Sequence, residues 1–418
     1  MSERTGRATW TRTAGALAVW AATRALLLLS VLKVIVPPGL DVTGDVSVTY
    51  QNWANVLSGG AFPEHDVTWQ YPPGAALAIL APKLLPFWPY ATAFFVLALV
   101  CDALVTALLL YAVRARGRRW AGVWVWVVGV PLLGPTVYAR YDVMVTALAV
   151  AALLVGTRRA RRFGALAALG AVVKGWPVLL LAGTPRGRET RRSWTSAAVT
   201  GLVLLAAFGL TMPGSLSFLT AQRDRGTEVE SLGALVFHFA RRFGWEGRVE
   251  FHYGSMEFLG TGVPLVSTLA QVLSVLALGW LVLWRVRARV WGEATFADAA
   301  FTALLLFTTT SRVISPQYLV WLLGLGAVCL LYRGGRMTLP VVLTVLASFV
   351  TWLEFPVYFG DVVGSTPFGT GLLVVRNGLL VAATVLACRA LWRETVRGRA
   401  RAGSAERERV PGWATTDA

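Results

Sequence analysis

The polar residues able to do chemistry in this 418-residue chain are few, and they stand in short groups between long apolar runs. The first group follows the first apolar run and holds Asp41, Asp45 and Tyr50. A carboxylate there lies at a membrane–water boundary, where it can meet a lipid head group from one side and an acceptor from the other. Alternatively, Asp45 caps a short loop helix. Glu64, His65 and Asp66 come next. Adjacent residues rarely converge on one ion, and His238 and His252 lie far along in another loop, so the three read as a solvated polar turn. The sequence therefore calls for no metal site and no cofactor.

Three further groups carry cations. In Arg140-Tyr141-Asp142 the two charges either pair with each other, or Arg140 takes a phosphate while Asp142 holds a sugar hydroxyl or a cation. Lys174, in Lys174-Gly175-Trp176-Pro177, interrupts an apolar stretch, where a charge demands a partner or water and marks a functional position by default. Arg312 precedes Ser315-Pro316-Gln317-Tyr318 and sets a cation beside hydroxyl and amide groups; the alternative is a capped helix start with an interfacial arginine. Arg24 with Asp102, and Glu354 with Arg376, fall at matching depths in apolar runs and suit internal ion pairs. The charge-dense stretch 222–231 reads as a solvated face, with acceptor contact as the alternative.

The elements that must position these groups follow from composition. The chain is 56% hydrophobic and only 15% charged, with a mean hydropathy of +0.60, which excludes an ordinary soluble domain. Its net charge of +17 is not a nucleic-acid footprint, because the arginines sit in clusters (114–119, 158–162, 186–192, 285–289, 333–336) between apolar runs. Cys101, Cys329 and Cys388 lie inside apolar runs without partners at ligand or redox spacing. A spanning helix needs about 20 apolar residues. Spans are expected near 14–36, 90–113, 120–137, 142–156, 194–212, 263–285, 296–310, 317–332, 338–358 and 370–392. The first is too long for a signal-peptide core and is expected to remain as an uncleaved anchor. Residues 163–183, broken at Lys174, are expected to form a hairpin of two half-length helices. Residues 74–86 are too short to span and suit an interfacial helix.

The arginine clusters orient the chain. With both termini cytoplasmic, every cluster falls inside, and the loops 37–89 and 213–262 fall outside with most extramembrane acids. The expected organisation is a cytoplasmic segment 1–13, a membrane domain 14–392 and a polar cytoplasmic tail 393–418. The fold class is an all-α polytopic membrane protein.

In that order, Asp45 with Tyr50, Tyr71-Pro72-Pro73, Asp142, the Lys174-to-Pro177 break and Ser315-Pro316-Gln317-Tyr318 resemble the integral-membrane GT-C glycosyltransferases. The likeness is to glycosyltransferase family 87, the polyprenyl-phosphate-mannose-dependent α-mannosyltransferases, and it covers roughly residues 14–392. The resemblance implies a GT-C fold, a polyprenyl-phosphate sugar donor, a lipid-linked or glycan acceptor, and an outer-face site in the plasma membrane with Asp45 as its catalytic carboxylate. Many relatives carry a histidine shortly after the late Ser-Pro, where this chain has Gln317-Tyr318. A polyprenyl phosphate leaves as a stabilised anion and needs no proton donor, so a single base suffices for an inverting transfer. Asp45 is then the base, Arg140, Arg312 and Lys174 meet the phosphate, and Tyr50, Tyr71, Asp142 and Gln317 position sugar or acceptor. A transporter or flippase of a lipid-linked sugar is the competing expectation, since broken helices and intramembrane charges suit one too.

Overall fold

Each apolar run expected to cross the membrane folds as helix, in whole or in part. The structure, a computed structural model, describes residues 2–115, 117–156, 159–221 and 225–398, with residues 2–9 as backbone only. Arg116, Arg158, Asp224 and the tail past residue 398, all weighed in the sequence, lie outside the described residues.

The long first helix α1 (Ser2–Val31) begins inside the segment expected to be a tail and ends before Lys33, whose φ is 60°. The first loop carries α2 (Gln51–Ser58) and α3 (Ala75–Leu80). The helix α3 seats its alanines and Ile79 inward and leaves Leu77 exposed, so it is half packed rather than merely lying on the surface. Then come α4 (Tyr90–Val113) and α5 (Ala121–Gly129). The run expected as one span over 120–137 stops being α-helical at residue 129 and continues as a tight turn, Pro131–Val137. Gly134 there has φ 63° and lies against the Trp352 indole, in space a Cβ would fill, so no other residue fits without a shift.

Two shorter helices, α6 (Asp142–Gly156) and α7 (Ala160–Val173), follow. The expected hairpin is present: α7 rises to Lys174, and the tight turn Trp176–Gly183 returns. Its tip is gripped by the first loop, where the Gly74 amide donates to the Val172 carbonyl at 2.9 Å. The next helix, α8 (Arg188–Thr211), buries only Ser193 and Ala197 and leaves much of its length exposed, as a lipid-facing helix should.

The second loop adds a few short strands to a fold that is helical overall, as expected. It folds as β1 (Thr227–Glu228), α9 (Leu235–Ala240), β2 (Arg248–His252) and β3 (Ser255–Leu259). The strands form an antiparallel sheet in the order β1-β3-β2, with Glu250 opposite Glu257 and Thr227 opposite Phe258. Phe258 seats this sheet on a small core of its own with Val229, Phe237 and Val263.

The chain closes with α10 (Val263–Arg287), α11 (Thr295–Thr310), α12 (Tyr318–Leu331), α13 (Thr338–Trp352), α14 (Phe359–Val363) and α15 (Pro367–Thr395). Among the described residues six helices are long and apolar enough to cross a membrane, by length and composition. The shorter α6, α11 and α12 are the most buried, while the exposed α8 and α10 lie outside them. The molecule is therefore a mostly helical membrane protein.

Both internal ion pairs form. Arg24 meets Asp102 at 2.8 Å, and Arg376 on α15 meets Glu354 at 2.9 Å. Arg376 also donates to the Glu230 carbonyl at 2.8 Å, so the last helix holds the second loop from below.

Candidate active site

One cavity gathers most of the residues singled out in the sequence. It has a volume of about 600 Å³, and Asp45, Tyr50, Tyr71, Lys174 and Gln317 line it. Asp45 begins a short π-helical turn, Asp45–Tyr50, that leads into α2, and its side chain is half exposed. The capping alternative for Asp45 is not seen: no side-chain cap bond is made at that turn.

Arg140 and Asp142 do not pair with each other. Each takes a partner from elsewhere in the chain. The Arg140 Nη2 meets Asp45 Oδ2 at 2.7 Å, and Lys174 Nζ meets Asp142 Oδ1 at 2.7 Å. Arg140, expected at a phosphate, thus holds the Asp45 carboxylate, and its Nη1 is spent on the Ala139 carbonyl at 2.8 Å. Asp142 is buried; its Oδ1 also accepts from Trp321 Nε1 at 2.7 Å, while its Oδ2 has no hydrogen-bond partner in the structure.

Lys174 sits in an aromatic cage. Its ammonium lies 4.7 Å from the Tyr141 ring centre, 5.2 Å from Tyr71, 5.3 Å from Trp321 and 6.0 Å from Tyr318. The ring quadrupoles stabilise the cation where water is scarce. Tyr318 and Trp321 stack at 4.1 Å, and Trp176 stacks on the far face of the pair at 5.3 Å from Trp321. Burial pushes the Tyr71 phenol well above its ordinary range, and the nearby Asp142 and Asp45 charges add to the effect. It therefore stays a neutral donor.

Tyr50 packs rather than reaches: its ring is buried against Trp53, Phe94 and Tyr141. Gln317 is the residue before α12 and faces the cavity. Arg312 is not on the cavity wall; its Nη1 donates to the Arg225 carbonyl at 3.0 Å.

Sequence reasoning missed the second loop. The stretch read as a solvated face instead supplies Arg225, a cavity residue that is nearly buried. Arg225 bonds Glu257 at 2.6 Å, Ser255 at 2.6 Å and Gln70 of the first loop at 3.0 Å. Gln70 in turn donates to the Tyr253 carbonyl at 2.6 Å, so the two long loops are stitched together over the site. Glu228 clamps the late motif, accepting from the Ile314 amide at 2.6 Å and from Ser315 Oγ at 2.8 Å. Burial raises the Glu228 carboxyl above its usual range against the opposing pull of Arg225. Tyr141, Tyr318 and Trp321 were legible as neighbours of named residues: Tyr141 lies between Arg140 and Asp142, and Trp321 one helical turn after Tyr318.

The rest of the cavity wall is mixed, with Thr49 and Thr68 beside apolar and aromatic side chains. Val178, Leu278 and Phe307 line it and are themselves exposed on the outer surface of the bundle. The cavity thus sets charged side chains and surface-exposed apolar ones on one wall. Among the described residues, no group of three or more His, Cys, Asp or Glu is placed to hold a metal ion.

The sequence model of glycosyltransferase family 87 matches residues 69–316. No curated protein and no solved structure matches the chain.

Proposed function

The chain belongs to glycosyltransferase family 87 and is a membrane enzyme that transfers a sugar; from that premise we propose that its donor is a hexose, mannose by the family resemblance, carried on a polyprenyl phosphate. The acceptor is a glycan or glycolipid on the extracytoplasmic face. The observation that carries this proposal is the make-up of the cavity wall: Asp45, Lys174 and Arg225 line the same space as Val178, Leu278 and Phe307, which are exposed on the surface. Such a space suits an amphiphile whose phosphate meets cations while its chain leaves sideways into hydrocarbon.

In this mechanism Asp45 takes the proton from the acceptor hydroxyl. The acceptor oxygen bonds to the anomeric carbon as the bond from that carbon to the phosphate oxygen breaks. Configuration inverts, and polyprenyl phosphate departs as an anion. Lys174 stabilises the growing charge on the phosphate, held in place by Asp142 and its aromatic cage. Arg140 aims Asp45 rather than meeting the phosphate. Tyr71 and Gln317, both on the wall, position sugar or acceptor.

The proposed arrangement has residues 14–392 as the catalytic unit, with segments 1–13 and 393–418 cytoplasmic. The shorter buried helices cross the bilayer inside a shell of longer ones, as in a GT-C fold. The geometry of α8 supports the sidedness. It starts in an arginine cluster and ends at Thr211, just before Pro213, whose carbonyl accepts from the Phe62 amide of the first loop at 3.0 Å. Its 24 residues rise roughly 36 Å, enough to separate a cytoplasmic basic layer from an outer catalytic one.

The test is transfer by purified protein from radiolabelled polyprenyl-phosphate mannose into lipid or glycan products of the native membrane. Label should move with the wild type and not with Asp45→Asn. Transfer only from a sugar nucleotide, or movement of the donor across vesicles without transfer, would falsify the proposal.

A further inference from the structure

At the opposite end of the molecule from the active site, α7 and α8 form a second polar cleft with no part in the chemistry above. It has a volume of about 480 Å³ and is lined by Arg161, Arg188, Arg191, Arg192, Thr195 and Val199 among others. Residues 188, 191, 192, 195 and 199 follow one stripe of α8, at helical spacing. Arg161 faces them from α7, which is tied to α8 where Ser196 Oγ donates to the Arg161 carbonyl at 2.8 Å.

Two features of this cleft point to a ligand. The first is charge: four guanidinium groups line it, and among the described residues the one ion pair they make is Arg192 to Glu189, at 3.9 Å. The second is gradation. Passing along the stripe, guanidinium groups give way to the Thr195 hydroxyl and then to Val199, Leu202 and Val203, which are exposed on the lipid-facing surface of α8. A free anion would need only the first part of that sequence. An amphiphile with a phosphate at one end and an acyl chain at the other uses all of it.

We infer that this cleft binds the head group of an anionic phospholipid, with the phosphate among Arg188, Arg191 and Arg192 and an acyl chain lying along Val199 and Val203. The bound lipid holds the hairpin that carries Lys174 against α8, because the cleft spans both elements. The site is independent of which sugar or carrier the enzyme uses.

The test is native mass spectrometry of the full chain released from detergent with phosphatidylglycerol or phosphatidylcholine added. The wild type should retain phosphatidylglycerol in preference to phosphatidylcholine. Arg191→Gln with Arg192→Gln should lower that retention by roughly tenfold, and Arg191→Lys with Arg192→Lys should restore most of it. Arg333→Gln, in a different basic cleft, should leave the most tightly held lipid in place. Arg191 is exposed and Arg192 half-exposed, so the glutamine variant should keep its melting temperature in lipid-free detergent. Equal retention of the two lipids, or retention unchanged in the glutamine variant, overturns the inference. So does a rise in melting temperature with millimolar inorganic phosphate as large as that with the lipid, which would mark an anion site without lipid character.

Discussion

Arg24–Asp102 and Asp45–Arg140 are built from the same two side-chain types at nearly the same separation, 2.8 and 2.7 Å. Their surroundings differ completely. Asp102 also accepts from Trp126 Nε1, Tyr138 Oη and Trp20 Nε1, and Arg24 also donates to the Val127 and Trp126 carbonyls. Nothing in that pair is left to bind anything else, and both residues are buried. Asp45 is half exposed, opens on the cavity, and is held by Arg140 through one oxygen. The difference teaches that a charge inside a membrane protein does not by itself mark a site. Spare bonding capacity beside an accessible space does.

The comparison can be broken most sharply at Asp45. Asp45→Asn keeps the shape and removes the proposed base, so transfer should fall by roughly 10²–10⁴-fold while the melting temperature stays close to wild type. A stability loss without an activity loss would make the two pairs equivalent. Asp102→Ala should do the converse. It strands Arg24 in the bundle and should destabilise by about 3–5 kcal/mol, with normal turnover per folded molecule. Arg24→Met combined with Asp102→Leu should recover most of that loss, as measured by thermal unfolding in detergent.

A third polar group sharpens the saturated side of the comparison. His238 is buried, its Nε2 donating to the Val229 carbonyl and its Nδ1 accepting from Ser365 Oγ, both at 2.8 Å. Burial pulls its pKa from 6.5 down to about 4. The folded chain keeps it neutral, while the unfolded chain takes up a proton below 6.5. Its stabilisation is therefore complete above pH 6.5 and is lost as the pH falls toward 4, by about 3 kcal/mol in all. Melting temperatures from pH 7 to pH 4 should show this slope, and His238→Gln should flatten it. The smallest expected effect is at Gly74, where an added Cβ would stand 2.7 Å from the Val172 carbonyl oxygen. Gly74→Ala should push the first loop off the hairpin tip, costing about 1–3 kcal/mol, and lower transfer by shifting Tyr71 relative to Lys174.

Much of the bundle was legible because membrane crossing imposes long apolar runs, and runs are a local property of sequence. The hairpin at Lys174 and the two internal ion pairs were legible for the same reason: a break or a charge stands out against hydrocarbon. The partners of Arg140 and Asp142 were not. Adjacent in the chain, they point to different partners, because Asp142 opens α6 and faces the hairpin while Arg140 stays in the preceding turn and faces the first loop. The second loop was the least legible part. Its charges resemble those of a solvated segment, and only the pairing of β1, β2 and β3 shows that Arg225 and Glu257 are drawn inward. Strand pairing and loop-to-loop stitching are non-local, so the alternation of a five-residue strand gave too little signal to find them.

The grip of Arg376 on Glu230 has a practical side. Residues 69–316, the stretch that the family model matches, leave out residues at both ends that the proposed mechanism uses. Asp45 precedes that stretch, and Tyr318, Trp321 and Arg376 come after it. The last helix carries the arginine that fastens the second loop, which in turn carries Arg225 to the cavity. The recognisable portion of this enzyme is accordingly not a module that can be excised, swapped or grafted, and chimaeras joined at either of its borders should inherit neither parent's activity.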